Sequence, residues 1–350
     1  MTGIFVAGLG AVSPAGWGLK PLREVIARNE AIAIKETTLP DWPHPLRIRP
    51  VPTPTPRPAF LTHARLRRTS PIAQYAVAAA VEALGDDAAK ISSGNLRLGV
   101  VLCVMSGCVN YSRRFYDEVL KEPSTASPLV FPETVFNAPA SHIGALLGAT
   151  SVNYTLVGDP GTFLQGIALG ADWLVSNEVD GCLVVGAEEL DWLTTEAFRL
   201  YNRQTIVSEG AGALYLRRDP RTDPAIHISG ITQPQLFSKT RTRLEAARRA
   251  RAELGNCGES CLLCDGLRGI AKADRDEKTV WSNWAGPRIS PKALLGEGSM
   301  AGSAWQCVAV VDSLTRGDNS AAVVTVVGCN EQAIAARFSK LSGPAISSLS

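Results

Sequence analysis

Apolar residues in this chain fall into short unbroken runs, separated by longer stretches where they recur every three or four positions. The runs at 98–105, 181–185 and 321–327 show no alternation, as expected of strands buried on both faces. Shorter runs at 4–6, 153–157, 211–216, 225–231 and 261–264 read as further strands. Between them, 163–176 places Leu164, Ile167, Ala168, Ala171 and Leu174 on one helical face. Helices are also predicted over 70–84, opened by the Ser70-Pro71 cap and first-turn pair, and over 243–254 and 300–314. The first strand is expected to end in a turn at Gly8-Leu9-Gly10. Segment 41–58, with Pro50, Pro52, Pro54, Pro56 and Pro58, reads as an extended surface excursion, neither helix nor central strand. Strands alternating with helices predict a layered α/β protein, with no short-period repeat.

Composition narrows the class. The 350 residues suit one large domain or two coupled halves, placed here at 1–236 and 237–350. With 45% hydrophobic and 19% charged residues the chain is globular, and a net charge of +2 gives no strong pull toward nucleic acid or an anionic membrane. The start lacks the pattern of a secretory signal and no apolar run is long enough to span a bilayer, so a cytoplasmic protein is expected. Most of the eight cysteines sit in apolar runs, as Cys103 and Cys182 do, and read as reduced core thiols. Cys257, Cys261 and Cys264 match a Cys-x3-Cys-x2-Cys iron–sulfur spacing. A strand would point Cys261 and Cys264 to opposite faces, which makes cluster ligation the minor reading. Arg241, Arg243, Arg248, Arg249 and Arg251 form a basic helix, either a solvated face or a dock for an acidic partner. Trp281 and Trp284 either pack beside a loop or wall a pocket.

A set of motifs then carries a resemblance. Gly8 to Gly16 (Gly-Leu-Gly-Ala-Val-Ser-Pro-Ala-Gly) is weak alone, and lacks the third glycine and acidic partner of a dinucleotide loop. Asn137 to Gly144, Gly186-Ala187-Glu188, Ser208 to Leu214 (Ser-Glu-Gly-Ala-Gly-Ala-Leu), Pro291 to Gly298 and Gly328-Cys329-Asn330 follow in order. Together they resemble the β-ketoacyl synthases. That resemblance implies a thiolase-like, duplicated five-layer α/β/α/β/α fold. It implies a nucleophilic cysteine at a strand-to-helix turn, where the helix N-terminus lowers the thiol pKa and steadies an oxyanion. It also implies two histidines that hydrogen-bond the thioester carbonyl, and a lysine that holds the network.

The chain departs from the family at those positions. Family spacing puts the nucleophile at Pro160, which has neither a nucleophilic atom nor an N–H. Thr162, two residues on, has a hydroxyl that needs a base to react and otherwise reads as a helix cap. The four histidines are His44, His63, His142 and His227, and none follows 227, where both family histidines belong. Asp265 and Glu297 stand at those places, and Lys292 remains as the lysine. Asp265 and Glu297 could form a charge-paired structural cluster around Lys292, or an acid/base pair if their pKa values were strongly raised. His142, Phe198 and Asn330 are candidate substrate-binding positions.

The resemblance therefore implies a synthase-like protein of fatty-acid or polyketide-type biosynthesis that no longer condenses, similar to a chain-length factor paired with an active ketosynthase. An acyl-thioester enzyme using Asp265 and Glu297, and an acyl-binding module, are the alternatives. Expected partners are acyl carrier protein or acyl-CoA, in a homodimer or a heterodimer with an active ketosynthase, with no metal and no cofactor.

Overall fold

The computed structural model describes residues 3–38, 42–149, 151–258, 260–317, 319–329 and 331–341. Ten strands carry the architecture. The first five are β1 (Phe5–Ser13), β2 (Leu98–Val104), β3 (Asn153–Val157), β4 (Gly181–Glu188) and β5 (Gly210–Arg217). The second five are β6 (Ile226–Ile231), β7 (Cys261–Cys264), β8 (Arg288–Ile289), β9 (Ala321–Val327) and β10 (Gln332–Lys340). In space the first set runs β3-β2-β4-β5-β1 and the second β8-β7-β9-β10-β6, so the same order appears twice. In each, the second strand runs parallel to the third and fourth, and the fifth runs antiparallel to its two neighbours. β1 and β6 meet antiparallel at Phe5 and His227, which joins the two sheets. The fold is thus a duplication, and its second unit opens with β6, upstream of the 236/237 division.

Eight of the eleven α-helices among the described residues bear on the site and its cores: α1 (Pro71–Leu84), α2 (Ala138–Leu147), α3 (Thr162–Val175), α4 (Trp192–Tyr201), α5 (Arg243–Leu254), α6 (Ala271–Val280), α7 (Pro291–Leu295) and α8 (Ser299–Arg316). Side chains alternate across each strand, so one strand feeds two cores. Val100 and Leu102 of β2 turn outward to a core shared with α1 and α2. Val101 and Cys103 turn inward, where Phe163, Leu164 and Ile167 of α3 and Trp305 and Val308 of α8 fill the space between the sheets. On the far side Leu263, Val323 and Ala335 pack against Ala246 and Ala250 of α5. The result is the α/β/α/β/α stack. α8 is buried over 299–314, small and apolar residues making up most of its surface and Ser303, Gln306 and Asp312 buried among them. Its Trp305 indole N–H donates to the carbonyls of Val12 and Ala211, both at 3.0 Å, tying the central helix to β1 and β5.

The structure corrects four expectations. Gly8-Leu9-Gly10 is not a turn but the middle of β1, because α1 lies directly on it. A Cβ on Gly8 would come within 1.9 Å of the Ala83 carbonyl oxygen, and one on Gly10 within 2.0 Å of that of Ala79. In the 41–58 excursion, the proline-free Leu46–Arg49 is the middle strand of a small sheet, between Lys35–Thr37 and Val207–Ser208. Ser70 does not cap α1 with its side chain; its hydroxyl donates instead to the buried Glu189 carboxylate. Cys257 and Cys261 are joined in a disulfide rather than reduced. The opposed faces expected of Cys261 and Cys264 are observed, Cys261 in the outer core and Cys264 in the central one. No helix among the described residues is long and apolar enough to cross a membrane.

Candidate functional site

The β3–α3 turn lies at the centre of the stack, facing the turn between β9 and β10. Its organising residue is Asp159, buried at 4% exposure. The Asp159 carboxylate accepts the Gly161 amide at 2.9 Å, an Asx-type turn, and the amides of Glu331 and Gln332 at 3.2 and 3.4 Å. One side chain therefore closes the start of α3 and fastens it to the second repeat. Pro160 lies inside this turn. A Cβ on Gly161 would come within 3.0 Å of Gln332 and Ile334, so the backbone there is packed shut. Thr162 is buried, and its hydroxyl oxygen accepts the Gln332 side-chain amide at 3.5 Å. None of its hydrogen bonds comes from a group able to act as a base.

Opposite this turn sits a buried ion cluster. Glu297, between α7 and α8, accepts Lys292 Nζ at 3.1 Å and the Ser299 amide at 2.9 Å on Oε1. Its Oε2 lies 2.6 Å from Arg268 Nε. Lys292 and Glu297 are each 2% exposed. Burial alone would resist ionisation, but Arg268 and Lys292 overcome it and hold the Glu297 carboxyl at about 2. Burial likewise opposes the charge on Arg268, and Glu297 outweighs it, raising the guanidinium pKa. The Arg268 loop is itself built by acids: Asp274 accepts the amides of Arg268 and Ile270 at 3.0 and 2.8 Å, and Glu277 accepts that of Gly266 at 3.0 Å. Burial, aided by Asp265, pushes Glu277 up to about 7.

Cys329, in the β9–β10 turn, feels the charges of both groups. Burial, then Glu297, pushes its thiol up to about 11, so at neutral pH it is a thiol and not a thiolate.

The remaining sequence candidates separate from this centre. Asp265 is fully buried, yet none of its bonds reaches Lys292 or Glu297. Its carboxylate accepts Arg288, the Ser290 hydroxyl at 2.7 Å and its own Leu267 amide at 3.0 Å, and so faces β8. The charge-paired cluster thus forms around Lys292 and Glu297 with Arg268 in it and Asp265 outside it. His142, on α2, is held by Glu133 at 2.9 Å, outside the cluster. Phe198 is half-buried on α4. Asn330 lies outside the described residues.

Sequence reasoning missed Arg268 and Asp159. Asp-Pro-Gly-Thr at 159–162 was a legible turn signal. Nothing local marks Arg268, whose partner lies 29 residues away.

A doubled sheet with a helix start buried at its centre, facing the opening of the second repeat's long helix, defines a thiolase-like protein. The profile described as Beta-ketoacyl synthase, N-terminal domain, matches residues 2–211, and the chain belongs to that family. No curated protein matches it. Among solved structures, the ishigamide ketosynthase/chain length factor superposes with a TM-score of 0.78 at 17% identity, covering 97% of this chain and 100% of that one. A ketosynthase (ApeO) in complex with its chain length factor (ApeC) from Xenorhabdus doucetiae gives 0.77 at 16% identity, covering 97% and 98%. A beta-ketoacyl synthase from Burkholderia phymatum STM815 gives 0.76 at 16%, covering 98% and 100%. At these identities the likeness establishes the common fold.

Proposed function

We propose that this chain is a condensation-inactive member of the family that acts in the cytoplasm as a chain-length-factor-like partner of an active ketosynthase in fatty-acid or polyketide-type synthesis. The observation that carries the reading is Asp159 on the Gly161 amide. The helix start where the family places its thiolate and oxyanion already holds a carboxylate of the chain itself. Across from it, Glu297 stays ionised and accepts hydrogen bonds, so it cannot donate to a thioester oxygen. This also counts against the acid/base alternative, since Asp265 and Glu297 share no bond. Two of the similar structures are named as a ketosynthase with its chain length factor, which favours the pairing role.

The partner surface we favour is the β3 edge. Among the described residues β3 pairs with β2 alone, and it exposes Tyr154 and Val157 at 54% and 53%. An open apolar edge is a template for another strand. A carrier-borne or coenzyme A-borne acyl chain is the substrate class of the pair.

The test is co-expression with a cysteine-bearing ketosynthase and incubation of each protein with radiolabelled acyl and malonyl thioesters. The chain alone should take no label and make no product. It should co-purify with the synthase and alter the length of its product. A stable acyl adduct on this chain alone overturns the proposal.

A further inference from the structure

We propose that Cys257 and Cys261 are an exchangeable redox pair, with Cys257 the accessible attacking thiol and Cys261 the buried resolving thiol, taking low-molecular-weight peptide disulfides such as glutathione disulfide as oxidant. This does not depend on the synthase reading.

The two cysteines close the connection from α5 to β7. Their surroundings are unequal: Cys261 opens β7 at 0% exposure, while Cys257 is half-buried in the loop. An external reagent can therefore reach only the Cys257 sulfur. The Arg337 guanidinium donates to the carbonyls of Leu254, Gly255 and Asn256, which fastens the segment just before Cys257 without the aid of the disulfide. On this proposal the two thiols stay near each other after reduction. Of the remaining thiols, Cys103, Cys108, Cys182, Cys264 and Cys307 are buried, and Cys329, free and half-buried in the β9–β10 turn, has no disulfide partner.

Beside Cys257 is a cavity of about 180 Å³, walled by Trp281, Trp284, Asn283 and Arg251. The Arg251 guanidinium stacks 4.5 Å from the Trp281 ring centre, and its Nη1 donates to the Val280 carbonyl and to Asn283 Oδ1. Among the described residues Nε and Nη2 have no hydrogen-bond partner, which leaves two adjacent N–H groups for a carboxylate. A cation backed by an aromatic face next to an accessible sulfur suits an anionic peptide thiol better than a neutral one.

The exchange balances. The Cys257 thiolate attacks one sulfur of glutathione disulfide, the S–S bond breaks, and one glutathione leaves and takes a proton. Cys261 gives its proton to solvent and attacks the Cys257 sulfur, expelling the second glutathione. Two protein thiols are oxidised and one reagent disulfide is reduced to two thiols. Reduction runs the same steps backwards.

The test equilibrates the full chain in glutathione buffers of graded thiol-to-disulfide ratio, traps free thiols with a mass-tagged maleimide and reads tryptophan emission. A disulfide accepts an electron from an excited indole, so Trp281 and Trp284 should brighten as the link opens. We expect a bonded pair in disulfide-rich buffer and two added tags in thiol-rich buffer, with emission rising along the same curve. Cys261→Ser should trap one glutathione on Cys257, and Cys257→Ser should take none at position 261. The proposal fails if both thiols tag at every ratio, if the link survives excess native glutathione, or if Cys261→Ser takes no glutathione at Cys257. Intact mass of the unsubstituted chain discriminates the first two outcomes without any variant.

Discussion

Glu297 is the one group that touches both buried cations, so Glu297→Gln tests the ion cluster most directly. The substitution keeps the shape and leaves Arg268 and Lys292 facing a neutral amide inside the protein. Two routes give its size. Removing one partner of a buried ion pair costs about 3–5 kcal/mol, since the remaining charge is left unpaired. Independently, the fall of the Glu297 carboxyl from 4.5 to about 2, at about 1.36 kcal/mol per pH unit, corresponds to about 3 kcal/mol of stabilisation at neutral pH. The folded value lies below the ordinary one, so this stabilisation is complete above pH 4.5 and is lost as pH falls through about 2. For 350 residues, at about 2.1 cal/mol/K each, a loss of 3–4 kcal/mol lowers the melting temperature by about 5 °C. Scanning calorimetry at pH 7 and at stepwise lower pH reads both effects. Glu297→Gln should melt about 5 °C lower at neutral pH and should show a smaller acid-side loss below pH 4.5 than the unsubstituted chain, the remainder coming from other lowered carboxylates such as Asp180. Replacing the whole cluster by apolar residues (Arg268→Met, Glu297→Leu and Lys292→Met together) should restore most of the stability, because no charge is then left unpaired. A Glu297→Gln protein that melts within a degree of the unsubstituted chain, with an unchanged acid profile, would refute the buried hub.

Three further outcomes are expected. Burial raises Glu188 to about 8 against the opposing amides of Met105 and Ser106, so its contribution to stability is complete below pH 4.5 and is lost as pH rises through 8. Thermal melts from pH 6 to 9 should show the later part of that decline, by at most about 3 kcal/mol from this group, and Glu188→Gln should reduce it, leaving the share of Glu277. Gly10→Ala drives a methyl into the Ala79 carbonyl and should destabilise by about 3 kcal/mol or more in denaturant titration, whereas Gly230→Ala, with open space around it, should not. Iodoacetamide should label Cys329 slowly at pH 7, with the rate rising about tenfold per pH unit toward 11, as followed by mass spectrometry of the peptide.

How far the sequence could be read depended on the range of the interaction that fixed each feature. β2, β4 and β9 were legible because a strand buried on both faces is apolar at every position, a property that needs no knowledge of its neighbours. Gly8 and Gly10 were misread because their role is set by α1, some seventy residues away, whose backbone lies against the strand. The same holds for Ser70, whose hydroxyl prefers a buried carboxylate 119 residues on to the helix start beside it. At the site, Lys292 and Glu297 are five residues apart and could be paired from spacing, but Arg268 arrives from a loop shaped by Asp274 and Glu277. Asp265 shows the converse error. Its place in a motif suggested the centre, while Arg288 and Ser290 on the neighbouring segment draw its carboxylate to the sheet edge.

The way the site's own side chains occupy it bears on what kind of site it is, with Gln332 Oε1 a buried atom there that has no hydrogen-bond partner among the described residues. Catalysis by preorganised charge needs donors aimed at an atom that is not yet there, and such groups cost stability while they wait. Here the waiting positions are taken. Gly161 gives its amide to Asp159, which also accepts two amides of the facing turn, and so converts a helix start into a joint between the repeats. Glu297 answers two cations and a backbone amide at once. Thr162 is tied to Gln332, and Gln332 to Gln165, closing the remaining face of α3. The bonds from Glu331, Gln332 and Arg268 cross between elements, and so stabilise the duplicated frame where a reactive centre would strain it. On the proposed reading, a frame kept intact while its own side chains fill the centre would offer a partner a shape and an edge, which is what a subunit supplies when the chemistry belongs to its neighbour.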